Sequence, residues 1–207
     1  MKKNKLKIFI SCAVLFSSLS IFGVSARRDI DLWFSIYHGV MGLGYYSQQD
    51  VENFADTLVD SLLGALSKIN GQTLDQAFLF VDGYVNRCSA VYAAARGREK
   101  PHDQAITSMR DYANRYSEAH ANARAMEKTF NWSRGYAIMK ASEFPEETAA
   151  AFADIFEITV ARERTSDWIN FYINRCVYLM EEGQPPEIAN QGATAFADQI
   201  TAAMQNG

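Results

Sequence analysis

Cysteine, histidine and proline are all scarce here: three Cys, three His and four Pro in 207 residues. The cysteines never form Cys-x-x-Cys and have no histidine near them in sequence, which excludes a structural zinc site. The absence of Cys-x-x-Cys-His excludes covalently attached haem. Of the histidines, His38, His102 and His120, only His102 has a suggestive neighbour. Glu99-x-x-His102 has the spacing of carboxylate-bridged metal bundles, but Pro101 interrupts it and no second copy exists. Glu118 and His120 are two apart and point to different helix faces. Gly-x-Ser-x-Gly, His-Glu-x-x-His and phosphate-loop patterns are missing. No run of alternating β-branched residues is long enough for a strand. No catalytic residue, metal ligand or cofactor is assigned on this basis.

The chain does carry an export signal. Lys2, Lys3, Lys5 and Lys7 form a positive region, Ile8 to Gly23 is apolar, and Val24-Ser25-Ala26 fits a small-residue cleavage site. This predicts a signal peptide over 1–26 and one domain over 27–207. An uncleaved anchor is the alternative, since roughly 18 apolar residues just span a bilayer. Either way the lysines stay inside and the remainder lies outside the cytoplasm, periplasmic or secreted. Cys12 sits too early in the apolar stretch for a lipoprotein. With the four lysines gone, sixteen basic residues face 24 acidic ones, formally −8. That balance offers no electrostatic footprint for nucleic acid. It is repelled by anionic lipid, so no membrane contact is expected beyond the export signal.

Almost every segment carries the helical period. Ser47 with Asp50 marks a helix start, and Val51, Phe54, Leu58, Leu62 and Leu66 form one stripe. Thr73 with Gln76 opens a second helix that stops at Gly97, and a third runs from about His102 to Lys128. Phe130 to Phe144 is ambiguous, with room for a short helix. Pro145 opens a further helix to about Arg164. Ser166 caps another that ends at Gly183, and Pro185-Pro186 leads into a last one reaching about Gln205. Ile30 to Tyr46 reads as an N-terminal helix on the bundle. The fold class is therefore all-α, a single-domain bundle of about six or seven helices.

Tyr-Val/Ile-Asn-Arg-Cys occurs twice, ending at Cys88 and at Cys176. Phe-Ala-Asp precedes each, at Phe54–Asp56 and Phe152–Asp154; a third copy stands at Phe196–Asp198, and a third Tyr-x-Asn-Arg at Tyr112–Arg115. This is the pattern of a helical-hairpin duplication, unless it is coincidence in a chain rich in Ala, Phe and Tyr. Two cysteines in an exported chain most often form one disulfide, so Cys88–Cys176 is expected, with two buried thiols as the alternative.

Both pentapeptide helices are apolar nearly all round, which places them mid-bundle. Arg87 and Arg175 then stand out, because neither has a carboxylate one turn away. A buried guanidinium needs a partner, and Glu163 is a candidate. Either the arginines are structural, or Arg87, Arg175, Tyr84 and Tyr172 line a pocket for an anionic or aromatic ligand. The functional expectation is an exported, non-enzymatic binding or interaction protein of the bacterial cell envelope. Its partner would be another envelope protein or a small ligand. An enzyme with a site assembled across helices, or a structural envelope component, is the alternative.

Overall fold

The computed structural model describes residues 47–68, 73–161 and 164–205. These form seven helices and no strand: α1 Gln48–Leu66, α2 Leu74–Gly97, α3 His102–Ala125, α4 Phe130–Ala141, α5 Glu146–Val160, α6 Ser166–Glu181 and α7 Pro186–Gln205. The all-α bundle expected from the periodicity is what the chain adopts. The export signal, the expected helix at Ile30 to Tyr46, His38 and Glu163 lie outside the described residues.

The helix starts follow local chemistry. Ser47 Oγ accepts from Asp50 N at 3.1 Å. Thr73 and Gln76 close a full capping box, satisfying two orphan amides reciprocally. At α6 the cap is Thr165, one residue earlier than expected, with Ser166 the first helical residue. Left-handed residues end three helices, Glu99, Glu127 and Glu143, and Gly183 with φ +88° ends α6. At that angle a Cβ is costly, so glycine suits the position.

The ambiguous stretch is the middle of the molecule. α4 is capped by Thr129, whose Oγ1 accepts from Trp132 N at 3.2 Å. Every residue of α4 except Asn131 and Lys140 is buried. It packs against α3 on one side and α5 on the other. A helix wrapped on all sides shows no amphipathic stripe, which is why its sequence gave little sign of its role.

The two pentapeptide helices meet along their polar strips. Arg87 Nη1 donates to Asn174 Oδ1 at 2.7 Å, and Asn170 Nδ2 to Asp82 Oδ2 at 3.4 Å. This seam corrects the expected disulfide: Cys88 and Cys176 are both free and buried. Each cysteine lies about a third to nearly half of a helical turn round from the Asn strip on its own helix. With the Asn strips in contact, both thiols point away from the seam. Cys88 shares a face with Tyr84 and Tyr92, and Tyr92 packs on Phe54 of α1 at 4.5 Å between ring centroids. Cys176 turns to α7, its thiol donating to Ala189 O at 3.5 Å.

Candidate functional site

The four residues expected to form a pocket do not converge. Arg87, 8% exposed, reaches Asn174 and donates through Nε to Tyr112 Oη at 3.4 Å, with its guanidinium carbon 5.5 Å from the Tyr112 ring centre. Arg175 lies at the molecule's edge, 5.1 Å from the ring centre of Tyr178 and 5.6 Å from that of Phe196. Tyr172 is buried between Trp168 and Phe156 and donates to Asn190 Oδ1 at 2.8 Å. Tyr84 is buried between Phe80 and Tyr116, and its hydroxyl has no hydrogen-bond partner. Arg87 is thus held by an amide, a hydroxyl and a ring face, and Arg175 lies against two rings; no ion pair among the described residues joins either to a carboxylate.

The two tyrosines nevertheless mark equivalent places. A groove between α1 and α3 is lined by Thr57, Asp60, Ser61, Arg110 and Asn114, among others. A groove between α5 and α7 is lined by Ile155, Ile158, Thr159, Thr194 and Asp198, among others. Thr57, Asp60 and Ser61 stand one, four and five residues after the Asp of the first Phe-Ala-Asp. Ile155, Ile158 and Thr159 stand at the same steps after the second. On the opposite walls, Asn114 closes Tyr112-Ala113-Asn114 and Asp198 closes Phe196-Ala197-Asp198, with Arg110 and Thr194 one turn earlier in each. The third Tyr-x-Asn-Arg is thus the counterpart of the third Phe-Ala-Asp. Arg87 over Tyr112 and Arg175 over Phe196 repeat one contact in the two halves.

A further repeat escaped the sequence reading. Trp132 stacks on Tyr136 at 5.0 Å, and Trp168 on Tyr172 at 5.2 Å. Trp132 Nε1 donates to Asp154 and Trp168 Nε1 to Asp198, both at 2.7 Å. Lys128 caps the first indole and Arg164 the second, at 4.8 and 4.3 Å. So α4–α5 and α6–α7 are one kind of hairpin, the second with longer arms. The signal was available: each of the three tryptophans stands four residues before a tyrosine and upstream of a Phe-Ala-Asp. The third of these, Trp33 with Tyr37, lies outside the described residues.

The polar groups of the two grooves are arranged differently. In the α5–α7 groove Arg164 pairs with Asp198 at 3.1 Å, and Asn190 accepts from Tyr172 and from Thr159. In the α1–α3 groove, of about 380 Å³, Ser61 and Ser117 lie beside the Tyr84 hydroxyl. Ser117 spends its own proton on Ala113 O at 2.7 Å. Asp60 and Lys68 lie on the α1 side of this groove and Arg110 on the α3 side, and no ion pair among the described residues engages any of the three.

Beneath the grooves the core holds a charge that sequence reasoning missed. Arg134, on α4, is 1% exposed, and its Nε and Nη2 have no hydrogen-bond partner. It fits because Gly83 of α2 has no side chain: a Cβ there would lie 2.7 Å from Nη2. Its guanidinium carbon is 5.8 Å from the Phe156 ring centre. Tyr116 and His120 lie close by, also unpaired. Burial, then the Arg124 and Arg134 charges, pushes His120 down to about 4. Burial drives the Cys88 thiol well above its usual range and Cys176 up to about 12, so both stay protonated and unreactive. The sign was an arginine in an apolar helix with no acid one turn away.

Among the described residues no group of three or more His, Cys, Asp or Glu is placed to hold a metal ion. No described helix is long and apolar enough to cross a membrane. No known protein family, curated protein or solved structure matches this chain.

Proposed function

We propose that this is an exported, non-enzymatic binding protein of the bacterial cell envelope whose ligand sits in the α1–α3 groove. The observation that carries the reading is a polar groove in which Ser61 and Ser117 lie beside the buried Tyr84 hydroxyl and no ion pair among the described residues engages Lys68, Arg110 or Asp60. The equivalent Tyr172 donates to Asn190 Oδ1 beside the other groove. Thr57, Ser61, Asn114 and Ser117 offer hydroxyl and amide contacts, and two cations outnumber one carboxylate. That chemistry suits a small hydroxylated molecule with one carboxylate or phosphate, and the volume is in the range of small-molecule sites.

The test is native mass spectrometry of the exported protein, followed by calorimetry against hydroxylated carboxylates and sugar phosphates. A bound mass lost on denaturation identifies the ligand. Tyr84→Phe should weaken it about tenfold, the worth of one hydrogen bond, and Arg110→Ala more. A ligand indifferent to both substitutions places the site elsewhere. No bound mass and no heat from the panel defeats the proposal.

A further inference from the structure

In the first half of the molecule, the α3 face carrying Tyr112, Tyr116 and His120 lies between Phe80, Tyr84 and Arg87 of α2 and the helix α4. Tyr112, Tyr116 and His120 are 2%, 0% and 0% exposed. The contact is close: His120 meets Phe130 of α4 at 5.5 Å, and Arg115 Nε donates to Ala141 O at 3.0 Å. The counterparts on α7, stepped identically from Ala197, are Phe196, Ile200 and Met204. All three are apolar, yet Phe196 is 37% and Met204 60% exposed and Ile200 half-buried, and beside them Tyr178 of α6 is 50% exposed. The same helix face is covered in one half and open in the other. An apolar stripe at one-turn spacing on a soluble helix marks an interaction surface.

We infer that this face of α7, continued by Tyr178, docks a second copy of this chain, which enters with the stretch upstream of its α1. Of the two helices on the α3 face, α2 has its counterpart in α6, whose Arg175 lies over Phe196; the one with no counterpart beside α7 among the described residues is α4, the element that opens the second half and carries Trp132 and Tyr136. The stretch upstream of α1 carries the same marks in sequence. Trp33 precedes Phe54 by 21 residues, as Trp132 precedes Phe152 by 20. It stands at the opposite end of the chain order from α7, as the opening of the first half. The second half of one copy thus meets the first half of the next as the halves meet within one chain. Such a contact is head-to-tail, so it propagates rather than closing on a two-fold axis.

The experiment uses the full exported chain. Its mass is followed by light scattering over a wide concentration range, for wild type, Phe196→Asp and Met204→Asp. A photo-reactive phenylalanine in place of Met204 reports the neighbour by peptide mass spectrometry. The expected result is a mass that keeps growing with concentration, weakened about thirtyfold or more by Phe196→Asp. Cross-links should run to peptides upstream of α1 in another copy. Both substitutions are at exposed positions, and melting curves check that each variant is folded. A constant monomer mass overturns the proposal, and so do cross-links from α7 to α7. The groove is tested separately, because Tyr84→Phe does not touch α7.

Discussion

Arg87 and Asn174 join the two copies of the pentapeptide: the arginine of the first donates to the side-chain oxygen of the second at 2.7 Å. The bond ties α2 to α6 and holds the Asn strips together. Because Arg87 is 8% exposed, losing its acceptor strands a nearly buried cation. Asn174→Ala should cost about 1–2 kcal/mol, towards the low end for a bond to a charged group because Asn174 itself is exposed. Urea denaturation reads it. Arg87→Ala added to Asn174→Ala should cost less than the two separate effects together; full additivity would mean the bond is not made in solution.

Gly83 and Arg134 should be coupled more strongly. Gly83→Ala puts a Cβ 2.7 Å from the guanidinium, an overpacking worth about 1–3 kcal/mol. Arg134→Met removes a buried, unpaired charge and should be neutral or stabilising by about 1–3 kcal/mol. In the Arg134→Met background the cost of Gly83→Ala should largely vanish. If Arg134→Met is instead strongly destabilising, the arginine is paired in solution in a way the structure does not show.

His120 gives a pH signature. Its folded pKa is about 4, below the usual 6.5, with burial the main cause. The unfolded chain therefore takes up a proton first as pH falls. Its contribution to stability is full above about pH 6.5, declines from there to about pH 4 and is lost below that, a change on the order of 3 kcal/mol. Phe80 and Phe130 flank the ring, so His120→Phe suits the site. Denaturation midpoints at several pH values should show a shallower decline for His120→Phe than for wild type. Parallel profiles would contradict the depressed pKa.

The thiols should behave as core side chains. Native protein should resist a thiol reagent, and unfolding without reductant should release two reactive thiols from the described domain. Reductant should leave the melting temperature unchanged. A melting temperature that falls on reduction would restore the disulfide and require the α2–α6 seam to be rebuilt.

The helices themselves were legible because their causes are local. Ser47, Thr73 and Gly183 act within one turn of the residues they cap or end. Apolar spacing on α1 and α3 shows which side is buried whatever it is buried against. α4 was illegible for the same reason: buried on all sides, it has no contrasting faces to give a period. The duplication was half visible in the pentapeptides and Phe-Ala-Asp. The Trp-x-x-x-Tyr marks were equally present, but their meaning rests on the indole bonds to Asp154 and Asp198, made across a hairpin. The candidate groove was the least legible. None of its lining residues stood out in the sequence as a candidate site residue; Tyr84, buried behind Ser61 and Ser117, did, but as a partner of Arg87.

The sequence by itself determined the helical class and the helix limits to within a few residues, and it hinted at two related halves. Helical geometry fixes which side chains share a face, and capping fixes where a helix starts. Only the tertiary structure decided which faces meet. It turned the Asn strips of α2 and α6 together and so parted Cys88 from Cys176. It set Arg134 against Gly83, and it put the Tyr84 hydroxyl beside Ser61 and Ser117 and that of Tyr172 on Asn190. Those outcomes depend on the angle and register of helices far apart in the chain, set by the packing of the whole core rather than by any one helix.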